Sequence, residues 1–537
     1  MGGIHLWSGS PDYNPESMGF GKSNGRYPLF LQKKYGTINR LNRAYQTTYR
    51  NFEEISPKPP HSSDAVKLRI RTDYFDFYCN TLNEFAGILK QYLTEAGIKE
   101  AFCVNAASPG MVSLFSDTNR ALGHDTLLGL DSYFILTYGS GQLTPTPKYM
   151  GENIMFGADM LEQWGNPYTV LEMQAGTYTD VPPVTPRALE LFYMTHLAMG
   201  LKGVNYYIFS GGINSGEYGF TSPIYDYQAC VDAYGKKRPN FGVIKRFSTL
   251  MKDNPWLVSA NRVSSVQIGI DLHILQNDHI PGASDRGFRA KLVSCPIYTL
   301  IASKFAPCYT EISQQPISID KPLILTASAT LSRQAQQNVI DFVRRGGKLL
   351  LLGGIAITDE NNEPYTALSD WIGIQSTKND TLSPTVRMND LTVYVVSCPK
   401  KIIAHQRGDA PLIYDGTEQN VLGIEGNRGK GSFVYFGGSW IMTKFEQTEL
   451  MEQILESFGA RPVLQCSNRR VNYAVRRGTD KTAIFLLNFY AQKEKTTVTL
   501  FENGREIDLG THTVEPMKAE MLVFTNEELS TKYKETK

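Results

Sequence analysis

No stretch of this 537-residue sequence reaches the roughly 18 consecutive apolar residues of a membrane-spanning helix, so no membrane partner is expected. Its start, MGGIHLWSGSPDYN, has no basic segment leading into an apolar one, so no signal peptide is visible. Localisation, cytoplasmic or secreted, then turns on whether Met1 is the true start. Charge of either sign is not in excess: 54 Lys and Arg against 53 Asp and Glu leave +1, which gives no electrostatic reason to expect a nucleic-acid partner. The seven cysteines are scattered, odd in number and without a CxxC pair, so free thiols are expected rather than a disulfide framework or a zinc site. The eight histidines show neither HxH nor HExxH spacing, and no metal is assigned. GGKLLLLGG lacks GxGxxG, and GNRGKGS has glycine after the lysine where a phosphate loop needs Ser or Thr, so no cofactor is assigned either. Internal repeats and low-complexity tracts are also missing.

What is present is a globular composition, 42% hydrophobic and 20% charged, long enough for three or four domains. Apolar residues at helical spacing predict a helix over 73–93. AFCVNA (101–106), a run ending near Tyr138, YTVLEMQAG (168–176) and GVNYYIF (203–209) read as strands, with a helix over 186–201 between the last two. Continuous apolar strands separated by helices predict a parallel sheet covered on both faces. Asn105, Glu172 and the residues from Ser210 onward follow those strands, where (β/α)8 barrels keep their active sites. A second α/β unit is expected over 256–460, from KPLILTAS, LSRQAQQNVIDFVRRGG and KLLLLGG. A small antiparallel β-sandwich is expected over 461–537, closed by a frayed charged tail, STKYKETK.

Glu172 is the first candidate for chemistry. A carboxylate at the end of a barrel strand is costly to bury unless it is paired or hydrogen-bonded. It suits either a structural ion pair or a glycosidase nucleophile attacking an anomeric carbon. The glycine pair in NYYIFSGGINSG (205–216) would allow a tight turn and close approach of a ligand. The tyrosines of YDYQACVDAYG (225–235) would line a sugar pocket or pack in the core.

Together these stretches resemble the β-galactosidases of glycoside hydrolase family 35, with their GGTNFG-like turn and YDYDAPIDEYG-like segment. Here Ile213 and Ser215 depart from the turn, and Gln228, Cys230 and Ala233 from the later segment. FLQKKYGTINRLNRAY (30–45) looks like a helix of the neighbouring family 42. The resemblance implies the C-terminal half of a (β/α)8 TIM barrel over 1–255, strands five to eight, then a flavodoxin-like α/β domain over 256–460 and the β-sandwich. It implies a retaining enzyme for terminal β-D-galactosides with Glu172 as nucleophile. Tyr133 and Tyr207 would orient Glu172 or bind the sugar. Asn105, Trp164, Asn205 and Tyr225 are further pocket candidates, and the flavodoxin-like domain would mediate homo-oligomerisation.

A retaining glycosidase needs a second carboxyl group about 5 to 5.5 Å from the nucleophile. In the resembled families it ends strand four, and nothing before AFCVNA reads as that strand. The acid/base is therefore expected upstream of Met1. Asn83–Glu84 reads as a helix face and Asn362–Glu363–Pro364 as a turn of another domain. Asp12 and Glu16 end no strand. Two other functions fit the same residues: a non-catalytic carbohydrate-binding or assembly protein on an incomplete barrel, and a glycosidase for another β-linked sugar.

Overall fold

The computed structural model describes residues 18–55, 65–99, 102–106, 115–123, 125–135, 144–177, 179, 181–214, 223–276, 295–327, 329–361, 363–376, 385–394, 400–438 and 444–536. Asp12, Glu16, Asn362 and Ser215 lie outside them.

Four parallel strands come first: β1 (Phe102–Ala106), β2 (Thr126–Ser132), β3 (Thr169–Gln174) and β4 (Gly203–Tyr207), neighbours in that order. The helix Pro186–Ala198 crosses over between β3 and β4. Pro186 opens it and Thr185 caps it by accepting the Ala188 N–H at 3.3 Å. Its residues Leu189, Phe192, Tyr193 and His196 are fully buried, in one core with Leu128 and Leu130 of β2 and Val170 of β3. Residues two apart on a strand share a face. Leu128, Leu130 and Ser132 of β2 therefore meet the helices, while Gly129, Asp131 and the following Tyr133 face the barrel interior. Among the described residues β1 and β4 each pair on one edge only.

The 73–93 helix is longer than its spacing predicts, Ala65–Glu95. The segment expected as one helix is two, Arg26–Tyr35 and Ile38–Tyr45, because Gly36 takes φ +73° and Thr37 caps the second helix. Both are anchored on the long helix by Asp73, which is fully buried and accepts hydroxyl bonds from Tyr35 at 2.5 Å and Tyr45 at 2.6 Å.

The next sheet has nine strands. Its parallel strands Val266–Ile270, Pro307–Glu311, Leu323–Ala327, Lys348–Gly353 and Gly431–Phe436 lie in the spatial order second, first, third, fourth, fifth. This is one of the common doubly wound orders. Four antiparallel strands between residues 385 and 428 extend it, an addition the sequence reading lacks. The Gln163 side chain, at the end of the helix Phe156–Gln163, donates to Tyr309 O at 2.8 Å and accepts from Glu311 N at 3.0 Å. It thereby covers the sheet edge as a short added strand would.

The last unit packs two antiparallel sheets across Val471, Val475, Ile484, Leu486, Val498 and Leu500. Two features differ from expectation. Asn261–Arg262, assigned to the middle unit, is an edge strand of this one, paired with Val471–Arg477. The tail is a helix, Asn526–Thr536, because Glu528 accepts the Thr525 N–H at 2.6 Å and Leu529 is buried. Arg476 locks this unit to the barrel: it is fully buried and donates to Leu197 O at 2.9 Å, to Ala260 O at 2.9 Å and to Leu257 O.

Candidate active site

Three residues of β3 span what two span on either neighbour. Leu130 pairs with Val170 and Ser132 with Met173; on the other side Val204 pairs with Val170 and Tyr206 with Met173. The extra residue is a β-bulge, a device that re-aims side chains at sheet ends. Val170 and Met173 stay fully buried in the helix-facing core, and the two residues between them, Leu171 and Glu172, both turn inward. Room for Leu171 comes from Gly129, where a Cβ would lie 2.3 Å from Leu171 Cγ. Asn205 of β4 donates its amide to the Leu171 carbonyl at 2.9 Å, so it holds the bulge rather than a ligand.

Both oxygens of Glu172 are engaged. Oε1 accepts the Asn105 amide at 3.0 Å, and Oε2 accepts the Tyr133 hydroxyl at 2.7 Å. Hydrogen bonds to a charged acceptor are the strong kind, and two of them fix the carboxylate's direction. Tyr207 stands edge-on to Tyr133, ring centroids 6.5 Å apart at 87°. Asn105, Tyr133, Glu172 and Tyr207 thus come together from four consecutive strands.

Two other candidates do not join them. Trp164 follows the helix Phe156–Gln163 at the opposite end of the strands from Glu172; nearby, Asn166 accepts the Leu128 N–H low on β2 at 3.1 Å. The Trp164 ring packs against the core shared by the strands and their helices. Tyr225 belongs to the hairpin of β5 (Gly212–Ile213) and β6 (Ile224–Tyr225), and a Cβ on Gly212 would lie 2.6 Å from its ring. The glycine pair therefore admits protein, not a ligand: a Cβ on Gly211 would lie 2.8 Å from the Asp226 carboxylate. Gly176, which ends VLEMQAG, serves the same purpose. The chain at Tyr227 crosses over it, and Thr177 N donates to Tyr227 O at 2.6 Å.

Asp131 is a member of the site that the sequence reading missed. It is the direct cross-strand partner of Glu172, and its Oδ1 is buried with no hydrogen-bond partner among the described residues. Burial, and then the charge of Glu172, push its carboxyl up to about 8. The signal was available: Asp131 stands two residues before Tyr133, on the same face, by the logic that picked out Glu172. Among the described residues no group of His, Cys, Asp and Glu is arranged to hold a metal ion.

Ser132 anchors this strand from behind. Its hydroxyl lies 3.0 Å from His196 Nε2 and 3.2 Å from the Tyr149 hydroxyl, and His196 Nδ1 lies 2.5 Å from the Tyr168 hydroxyl.

The glycoside hydrolase family 42 model, described as beta-galactosidase, matches residues 4–226. A second model, described as GLMA-like, second domain, matches residues 311–411. A beta-1,2-glucosyltransferase of Ignavibacterium album is 24% identical over 539 residues, which cover 92% of this chain and 71% of that protein. An exo-beta-D-glucosaminidase of Thermococcus kodakarensis is 22% identical, over 78% of this chain and 54% of that protein. A solved GH42 beta-galactosidase from G. stearothermophilus superposes with a TM-score of 0.71 at 17% identity, over 93% of this chain and 75% of that one. The chain is thus glycoside hydrolase-like, with the fold of the family 42 enzymes. Of the two families its motifs resemble, the matches name family 42.

Proposed function

We propose that the protein acts on a terminal β-linked hexoside by a retaining mechanism, with Glu172 as nucleophile. The observation that carries this reading is the pair of hydrogen bonds holding both Glu172 oxygens at the carboxyl end of parallel barrel strands. A Glu172 oxygen attacks C1, the bond from C1 to the leaving oxygen breaks, and a glycosyl ester forms. Water then attacks C1 and releases the sugar with its configuration retained. A sugar hydroxyl in place of water would make the same intermediate serve transfer, the activity named for the Ignavibacterium relative.

The acid/base glutamate is assigned outside the described residues. Two observations support further barrel there. The long helix Ala65–Glu95 exposes Phe85, Leu89, Tyr92 and Leu93, and a cavity of about 360 Å³ opens between it and β1. The sugar is open between galacto, gluco and glucosamino: the resemblance implies the first, and the relatives' names suggest the other two.

A 2,4-dinitrophenyl β-glycoside tests the reading on the full chain, because its leaving phenolate needs no proton donor. We expect one equivalent of phenolate released in a burst, then a stall, then restored turnover when azide is added, giving the β-glycosyl azide. Glu172→Gln should abolish the burst. A burst of normal size in that variant, or an α-azide product, removes Glu172 from the role. Galacto, gluco and glucosamino substrates compared in the same assay name the sugar.

A further inference from the structure

Two carboxyl groups stand side by side at this site, and a neutral sugar needs only one. As Glu172 attacks C1, positive charge develops on the ring and offsets one negative charge. Asp131 remains as a second carboxyl group whose Oδ1 has no hydrogen-bond partner among the described residues. It faces the same interior as Glu172, on the adjoining strand and in direct register with it. Glu172 of β3 is its cross-strand partner, and Tyr133 follows it two residues on, on the same face. An unpaired carboxylate next to another carboxylate is costly, and a ligand that brings a cation removes that cost.

The substituent on C2 lies one bond from the carbon that Glu172 attacks. We propose that Asp131 is a specificity residue that receives a positively charged 2-amino group, so that the preferred substrate is a β-linked 2-amino-2-deoxyhexoside. The inference rests on the reading of Glu172 as the nucleophile. On binding, the protonated Asp131 gives up its proton to solvent and pairs as a carboxylate with the ammonium group. No covalent bond changes in that step, and the charge of the site stays balanced.

Isothermal titration of the full chain with D-glucosamine, D-glucose and N-acetyl-D-glucosamine tests it. The titrations are run at pH 6, in two buffers of different ionisation enthalpy. The cationic sugar should bind at least tenfold more tightly than the two neutral ones, with release of close to one proton per sugar bound. The neutral sugars should release none. Asp131→Asn should lose both the preference and the proton release. Glucosamine that binds without proton release, or no more tightly than glucose, overturns the assignment. If the sugars bind alike and Glu172→Gln abolishes their binding, the site reading stands and the role of Asp131 falls. If no sugar binds, both fall together.

Discussion

His196 should make the protein acid-sensitive by a calculable amount. It is fully buried behind β2, hydrogen-bonded to Ser132 and Tyr168, and burial alone lowers its pKa to about 3. In the unfolded chain a histidine titrates near 6.5. Between those values the unfolded state binds a proton that the folded state does not, so stability falls as pH drops below 6.5 and is fully present above it. Each unit of difference is worth about 1.4 kcal/mol, so the whole span is about 5 kcal/mol, and between pH 8 and pH 5 the loss is about 2 kcal/mol. Urea unfolding at pH 8, 6.5 and 5 measures it, with His196→Gln as the comparison because it removes the titration while keeping a polar group. The variant should be less stable at pH 8 yet lose about 2 kcal/mol less than the parent on going to pH 5. Parallel pH profiles for the two proteins would refute the neutral, buried imidazole and the anchoring of β2 that it provides.

Three other outcomes follow from the same contacts. Arg476→Met leaves the Leu197, Leu257 and Ala260 carbonyls without their donor and should cost about 3 to 5 kcal/mol in urea unfolding. Tyr133→Phe removes one of the two donors to Glu172; a bond to a charged group is worth about 1.5 to 3 kcal/mol, so the dinitrophenolate burst should slow by roughly 10- to 150-fold with the circular dichroism unchanged. Gly129→Ala drives a Cβ into Leu171, and it should slow the same burst through the bulge while costing about 1 to 3 kcal/mol of stability, measured by thermal unfolding.

Much of the site could be read in one dimension. Strand periodicity marks the ends of AFCVNA, VLEMQAG and GVNYYIF, and a polar residue at the carboxyl end of a barrel strand reaches the site whatever the rest of the fold does. Asn105, Tyr133, Glu172 and Tyr207 meet for that reason. The Pro186 helix start was equally plain, since capping is local chemistry. Trp164 was misplaced because it follows a helix, and a residue after a barrel helix returns to the far end of the strands.

Other features depended on counting one strand against another. The bulge that turns Leu171 and Glu172 inward appears only when β3 is laid beside β2 and β4, because an inserted residue has no local signature. The glycines at 211 and 212 looked like ligand contacts, and only the path of 225–233 shows that protein occupies that space. Charge was the least legible property of all. Asp131 is an ordinary aspartate by sequence; burial in the barrel and register beside Glu172 push its carboxyl upward, and both are properties of the assembled sheet. What the sequence determined alone was which residue types end which strands. Only the tertiary structure decided which of them touch and which carboxyl is pushed upward, since both depend on distances between segments far apart in the chain.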